Sequence, residues 1–449
     1  MLKKAGGSSG LEFNSPAHGN WNIVHTGMLL PEAIQIYVCA DNCMRGVVLT
    51  AAEMNAADRF SFVIVEEEDL LNGNLEDVTI EGVTDVLKKR GDHPKAVLLF
   101  TVCLHHFLGC DLERVYEELE ARFPEIFFIR CYMDPIMQKH GLTPDQKLRK
   151  SIYDALPKRK AGKSDSERSV TIIGSDFALD ETSDIKRLLK AGNIEVRELP
   201  TCDSWKSYEK LADSEIFIAC YPPGKYGLES QAERLGKKAL YLPGSFDYDE
   251  IIRQWKTLEQ AVKGNVEDIE SMEDIESMED TDLHMEKSPE GIIQREIELC
   301  EAALEKAGKV VGDVPIMIDH TFHPRPLELA KLLLTHGFAV TRIYLDAVNP
   351  EEKATFEWLK QQYPDLSYEP TIRPEMRMRS RKEENVLAIG QKAAWFTGTK
   401  HFVNLVEGAG LYGFDGIRRV AELMTEAWQE EKDPEDLIIR KGWGCESCI

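Results

Sequence analysis

Short runs of β-branched and aromatic residues recur along the chain, each followed by a stretch of helical period, and this alternation leaves little choice of architecture. AIQIYV (33–38), FSFVIV (60–65), AVLLFTV (96–102) and IFFIRC (126–131) read as strands, with helical patterns between them from Met44 to Arg59, in VTDVLKKRG, and in LERVYEELEARF (112–123). The apolar run 96–102 has no polar alternation, so it is expected to be buried on both faces. A second series opens with VTIIG (170–174) and continues through EIFIACY (215–221) and KALYLP (238–243), interleaved with SDIKRLLKAG and ESQAERLG. A third runs through VPIMIDH (314–320), LELAKLLLTHG, FAVTRIYL (338–345), NVLAIG (385–390) and a last helix from Gly416 to about Glu430. Strands spaced by helices of about 10–15 residues imply right-handed βαβ units. The expected fold class is therefore α/β, with three doubly wound Rossmann-like modules and mainly parallel sheets. A length of 449 residues agrees with three domains of roughly 150. The expected boundaries are an N-terminal extension (1–29), a first α/β module (30–165), a second (166–263), an acidic linker and helix (264–310) and a third module with the C-terminal tail (311–449).

Charge narrows the function. With 54 basic and 78 acidic residues the formal charge is −24, the opposite of the basic footprint that nucleic acid requires. Between Glu267 and Glu290 lie eleven acidic residues and one lysine, and the hexapeptide EDIESM stands there twice in tandem. Such a segment buries no core and reads as a solvated linker. No apolar run reaches the roughly 18 residues of a membrane span, and residues 1–20 lack the apolar core of a signal peptide. The expected compartment is the cytoplasm.

In such a compartment ten cysteines point to metal or redox use rather than a disulfide framework. Cys131 and Cys300, in apolar or helical runs, read as buried core thiols, and Cys202 is uninformative. Others stand at strand ends, where ligands bind in doubly wound folds. Cys39 and Cys43 follow the first strand in IYVCADNCMRG, and Cys103 and Cys110 follow the central strand in LLFTVCLHHFLGCD. A helix N-terminus is expected to lower the Cys43 pKa. Two pairs at one sheet edge suit an iron–sulfur cluster, although C-x3-C and C-x6-C depart from the tight C-x2-C spacing of ferredoxins. By spacing alone, buried or redox cysteines are the stronger reading.

These stretches resemble the nitrogenase component 1 family. IQIYVCADNCMRGV is similar to the segment where that family's strand enters a His-Gly-Pro-x-Gly-Cys turn, with Cys43 at the cluster-ligating cysteine. HPKAVLLFTVCLHHFLGCDLERVYEELEARFP resembles the second motif, Pro-Lys, an apolar strand and Cys-x5-Gly-Asp-Asp-Leu/Ile, which puts Cys103 on another ligand and Asp111 on the second aspartate. EIFIACYPPGKYGLESQAERLGKKALYLPG is similar to the segment around the family's cofactor cysteine, at Cys220, and LVEGAGLYGFDGIRRVAELM to the Gly-Phe-Asp-Gly stretch opening its late helix. The resemblance spans about residues 30–430. Departures are as informative. No cysteine precedes Cys39, which replaces the missing first ligand; Asn42 stands for a Gly and Cys110 for the first Asp of Gly-Asp-Asp. The cofactor histidine position falls on Val403, with His401 only nearby.

The resemblance implies an oxidoreductase subunit with an iron–sulfur cluster, 4Fe–4S or P-cluster-like, held by Cys43 and Cys103 with help from Cys39 or Cys110. It leaves room for a second metallocofactor at Cys220. It implies an ATP-dependent iron–sulfur reductase as electron donor and a homodimer or a heterodimer with a paralogous subunit. The loop residues His105 and His106 are candidates to hydrogen-bond a cluster. His320 and His323, in IDHTFHPRP after the third module's first strand, are the candidate catalytic residues. Arg377 and Arg379, in the cationic RPEMRMRSRK, are candidates to hold an anionic cofactor or a carboxylate-bearing substrate. Cys445 and Cys448 end the chain as a C-x2-C pair open to redox or metal use. Two other classes stay open: a scaffold on which a metallocofactor is assembled, and a cluster-free nucleotide-sugar-type α/β enzyme.

Overall fold

A computed structural model describes residues 11–13, 22–134, 141–158, 168–263, 289–373, 376, 383, 385–437 and 439–441. It divides into two compact units, one comprising Met1–Asp176, Ile194–Tyr241 and Ile438–Ile449, the other Phe177–Asn193 and Leu242–Leu437. The acidic EDIESM repeats, Arg377, Arg379, Cys445 and Cys448 lie outside the described residues.

In the first unit, a short strand β1 (Leu11–Phe13) pairs antiparallel with the last strand of the chain, β15 (Ile439–Lys441). The first sheet is built from β2 (Ala33–Cys39), β3 (Phe60–Ile64), β4 (Ala96–Val102) and β5 (Phe127–Met133) in the order β3-β2-β4-β5, every pair parallel. Every residue of β2 and of β4 is buried, as the unalternating run 96–102 requires of a strand covered on both faces. Four helices serve the site below: α1 (Asp41–Glu53), α2 (Leu75–Arg90), α3 (Cys103–Phe107) and α4 (Leu112–Arg122). Helix α5 (Pro144–Asp154), with Thr143 accepting from the Gln146 N–H at its start, leads to the second sheet. That sheet contains β6 (Ser169–Ile173), β7 (Glu195–Glu198), β8 (Ile216–Ala219) and β9 (Lys238–Tyr241) in the order β7-β6-β8-β9, again all parallel. Both sheets share one apolar core, in which Leu98 and Phe100 of β4 belong with Ile173, Phe217 and Ala219.

The second unit carries a five-stranded parallel sheet of β10 (Ile316–Asp319), β11 (Val340–Tyr344), β12 (Ser367–Glu369), β13 (Leu387–Ile389) and β14 (Phe402–Val403), in the order β12-β11-β10-β13-β14. Helices α6 (Pro289–Val311) and α7 (Pro326–Thr335) precede and follow β10, α8 (Gln391–Thr397) follows β13, and α9 (Gly413–Gln429) packs along α6. The chain leaves β10 toward β11 on one side and returns to β13 on the other. The carboxyl ends of β10 and β13 are thus the switch point where such sheets bind ligands. Among the described residues, no helix is long and apolar enough to cross a membrane.

Candidate functional site

Strand β2 ends at Cys39 and, after Ala40, the chain turns at once into α1, so Cys43 stands on the first helical turn. Its neighbour β4 runs in register with it (Tyr37 beside Phe100) and ends directly into α3, whose first residue is Cys103. Two parallel neighbours that both break into helices at the same edge therefore bring Cys43 and Cys103 together. Cys43 is exposed and Cys103 half-buried. The Cys43 thiol is pushed up by burial first, then by its neighbours Cys103 and Asp41. This corrects the expectation that the helix N-terminus lowers its pKa: Cys43 is a thiol until a metal displaces its proton.

The other two candidates at this edge are committed elsewhere. Cys39 lies wholly within the apolar core and is pushed up to about 12, by burial first. Cys110 is half-buried and donates to the Glu76 carboxylate of α2, which also accepts the Asp111 N–H at 2.7 Å; burial and Glu76 raise the Cys110 pKa to about 12. His105 is buried. Its Nδ1 accepts the Val102 N–H (3.3 Å), so Nε2 carries the proton toward Thr79 Oγ1 (3.5 Å), whose own hydrogen goes to Leu75 O. Burial lowers the His105 pKa to about 4, so it is a neutral strut for α3. His106 is exposed, and beside it Phe107 and Leu108 are 66% and 52% exposed. Among the described residues no three His, Cys, Asp or Glu side chains gather as a metal site. The donor set tested against an iron–sulfur cluster is two thiols of the four it needs: it fits half.

Cys220, at the end of β8, is buried, and burial pushes its thiol far up. The crevice between β6 and β8 is filled by Arg149 of α5, 1% exposed. Its Nη1 donates to Gly174 O and Asp176 Oδ1, both at 2.6 Å, its Nε to Asp145 Oδ1 at 3.0 Å, and its guanidinium lies 4.9 Å from the Tyr221 ring centre. Gly174 (φ +95°) and Gly224 close the remaining gap, since a Cβ on Gly174 would sit 2.4 Å from the Gly224 Cα. A large metallocofactor does not fit at Cys220.

In the second unit the switch-point edge holds a polar cluster. His320 Nδ1 donates to Tyr344 O (3.3 Å), and its Nε2 faces Asp346 Oδ2 at 3.7 Å. Asp346 accepts from the Thr371 hydroxyl and N–H, and Lys392, buried on α8, donates to Thr371 Oγ1 at 2.8 Å with Asp346 Oδ2 3.9 Å away. Burial lowers the Lys392 pKa, and burial together with Lys392 lowers that of His320. Burial pushes the Asp346 carboxyl up, but the Thr371 hydrogen bond and the charges of His320 and Lys392 outweigh it and hold it low. His323 is buried apart from this chain of bonds. Its Nδ1 accepts the Arg325 N–H (3.0 Å), and burial and Arg325 lower its pKa to about 3. Its ring borders a crevice with Gly244, Ser245 and Tyr412 that is too narrow for a water.

Lys392, Asp346 and Thr371 escaped the sequence reading, although Lys392 follows NVLAIG and Asp346 follows FAVTRIYL, both at strand ends. So did a spelling of G-x-G-x-x-G, Gly408, Gly410 and Gly413, between β14 and α9. In a dinucleotide site that spacing clears room for phosphate. Here the room is taken by the chain's own acids: Asp180 lies against Gly410, and Asp184 accepts the Phe414 and Asp415 N–H groups at the start of α9. The nucleotide reading gains nothing from it. His401 Nδ1 is bonded to Ala427 O.

A family model described as nitrogenase component 1 type oxidoreductase matches residues 42–438. Solved structures described as nitrogenase Cp1 at pH 6.5 and at pH 5 are similar in fold. The first has a TM-score of 0.61 at 12% identity over 96% of this chain and 94% of that one. The second has a TM-score of 0.56 at 12% identity over 90% and 88%. No curated protein matches the chain.

Proposed function

The chain belongs to the nitrogenase component 1 type oxidoreductases, and from that membership we propose that it is an iron–sulfur subunit taking single electrons from an ATP-dependent reductase to reduce a substrate. The observation that carries this reading is the meeting of Cys43 and Cys103 at neighbouring strand ends, one thiol exposed and the other half-buried. When bound there, an iron–sulfur cluster, 4Fe–4S or P-cluster-like, supplies one-electron transfer. Cys43 and Cys103 hold it as thiolates and release their protons to solvent at the open edge. The neutral His105 ring fixes the turn from β4 into α3 and with it the position of Cys103. Phe107 and Leu108 give a second subunit, identical or paralogous, an apolar surface to cover. The cytoplasm, where thiols stay reduced, suits all of this.

Reduction also needs protons, and the second unit has the groups to hold them. Lys392, Thr371 and Asp346 form a chain of donor to acceptor, and burial makes the Lys392 ammonium a better acid than an exposed lysine. The His320 Nε2 lone pair is an acceptor in the neutral ring. His320 is therefore the candidate catalytic histidine of this edge; His323, neutral and packed against a closed crevice, has the weaker claim. Arg377 and Arg379 follow Thr371 closely in sequence and keep their proposed role of holding an anionic group.

Anaerobically reconstituted protein is expected to be brown, with iron in stoichiometric amount, and Cys43→Ser and Cys103→Ser are each expected to lose most of it. Colourless, iron-free protein overturns the reading. A scaffold role is favoured by one observation, that fewer than three ligands gather at the exposed edge among the described residues. Turnover with a reductase and ATP supports the enzyme; transfer of the cluster to an acceptor protein without turnover supports the scaffold.

A further inference from the structure

Two thiols that share one open edge have a second fate besides holding metal. Extending the β2–β4 register from Tyr37–Phe100 by three residues sets Ala40 level with Cys103. Neighbouring strands lie about 4.8 Å apart. The Cys43 N–H donates to Ala40 O at 2.9 Å, and this first helical turn folds Cys43 back to about 5 Å from the Ala40 Cα. Cys43, Ala40 and Cys103 thus mark out a small triangle, and a disulfide, which spans Cα atoms about 4.4–6.8 Å apart, is of a length to close its third side. The two sulfurs also feel one another: after burial, Cys103 raises the Cys43 pKa more than Asp41 does. The neighbouring cysteines do not compete for Cys43, since Cys39 is sealed in the core and Cys110 is tied to Glu76.

We infer that Cys43 and Cys103 are a redox-sensitive pair, which closes into a disulfide in the metal-free chain and so bars this edge to iron. Among the described cysteines Cys43 alone is exposed, so a small-molecule disulfide such as oxidised glutathione meets it first. The Cys43 thiolate attacks one sulfur of that reagent, the reagent's S–S bond breaks, and one glutathione thiolate leaves. The Cys103 thiolate then attacks the Cys43 sulfur, the new S–S bond forms, and the second glutathione thiolate leaves. The two cysteine protons go to the two glutathione thiolates; the protein loses two electrons and the reagent gains them. Excess thiol reverses both steps. Cytosolic disulfides are typically of this transient, sensing kind. Once joined to each other, neither sulfur is the thiolate that holds a metal. The disulfide itself needs no iron; only its effect on iron loading rests on the proposed cluster.

The test treats the metal-free, full-length chain with oxidised glutathione under anaerobic conditions and maps its peptides by mass spectrometry. Fe²⁺ and sulfide are then offered to the oxidised chain and to the same chain after reduction with dithiothreitol. The expected result is a linked peptide pair carrying Cys43 and Cys103, absent after dithiothreitol, with cluster absorption gained by the reduced chain and not by the linked one. Cys110→Ser should form the same link. Glutathione left on Cys43 beside a free Cys103, or Cys43 joined to Cys43 of a second copy on a non-reducing gel, overturns the pair. If both thiols stay free while the reduced chain takes up iron that C43S/C103S does not, the redox pair is overturned and the cluster proposal stands. If the link forms but the reduced chain takes up no iron, the cluster proposal fails and the redox pair stands. Undiminished iron uptake by the linked chain overturns the barring of the edge. The link is read on the unmodified chain, so a folding defect in a variant does not confuse the outcome.

Discussion

His105 shows how much one side chain owes to partners distant in sequence. Its Nδ1 is committed to the Val102 N–H and its Nε2–H points to Thr79, 26 residues away. Its folded pKa, about 4, lies below the ordinary value, so the folded state binds fewer protons than the unfolded one between roughly pH 4 and 6.5. The stability it contributes is full above pH 6.5 and is lost as the pH falls toward 4, by roughly 3 kcal/mol. His105→Gln keeps an acceptor for Val102 and a donor for Thr79. It should flatten that part of the pH dependence when urea midpoints are compared from pH 7 to 4. An equal slope in the variant would contradict the assignment. The sequence placed His105 in the right turn but could not say that it is neutral, since that depends on Thr79. Lys392 and Arg149 were harder. A lysine or arginine in a helix with polar neighbours reads as solvent-facing, and only tertiary placement reveals that both are buried among carboxylates.

At the scale of elements, the long apolar strands were legible because burial on both faces leaves an unmistakable run; 96–102 is a strand over its whole expected length. Strands β12 and β14 were not, being three and two residues long, too short for any period to register. The Gly-Phe-Asp-Gly stretch was recognised by resemblance, and its physics is now plain. Asp184 accepts from two N–H groups at the start of α9, and Gly413 (φ +62°) leaves it space, since a Cβ there would lie 2.1 Å from Asp184 Oδ2. Gly413→Ala should lower the unfolding midpoint by more than the ~1 kcal/mol that left-handed backbone alone costs. In an Asp184→Ala background the same change should cost only about that amount, so the double-mutant cycle is strongly non-additive; simple additivity would refute the steric account. Helix α5 depends in the same way on Arg149. Arg149→Met leaves the half-buried Asp145 and Asp176 without their cation and should cost about 3 kcal/mol, the low end for breaking a buried pair, in denaturant unfolding, whereas loss of under 1 kcal/mol would mean that the pairs are idle.

The molecule as a whole has separate cores in its two units: the sheet of β10 to β14 packs with α6, α7 and α9, while the first two sheets share another cluster. Leu333→Ala, in α7 and wholly buried, should cost about 2–5 kcal/mol, and hydrogen exchange should show the lost protection within Leu242–Leu437, with β2, β4 and β8 unchanged. Equal loss across both units would contradict the division. The charge of −24 belongs to this scale too, since it bears on partners and solubility rather than fold. Finally, the β1–β15 ribbon has a practical bearing on anyone handling the protein. That ribbon packs on α1, the helix that bears Cys43, so a polyhistidine run fused to either end would compete for iron during purification. An epitope placed in the turn at Gly236–Lys237, before β9 and away from the carboxyl ends of the strands, is the handle that leaves the thiols alone.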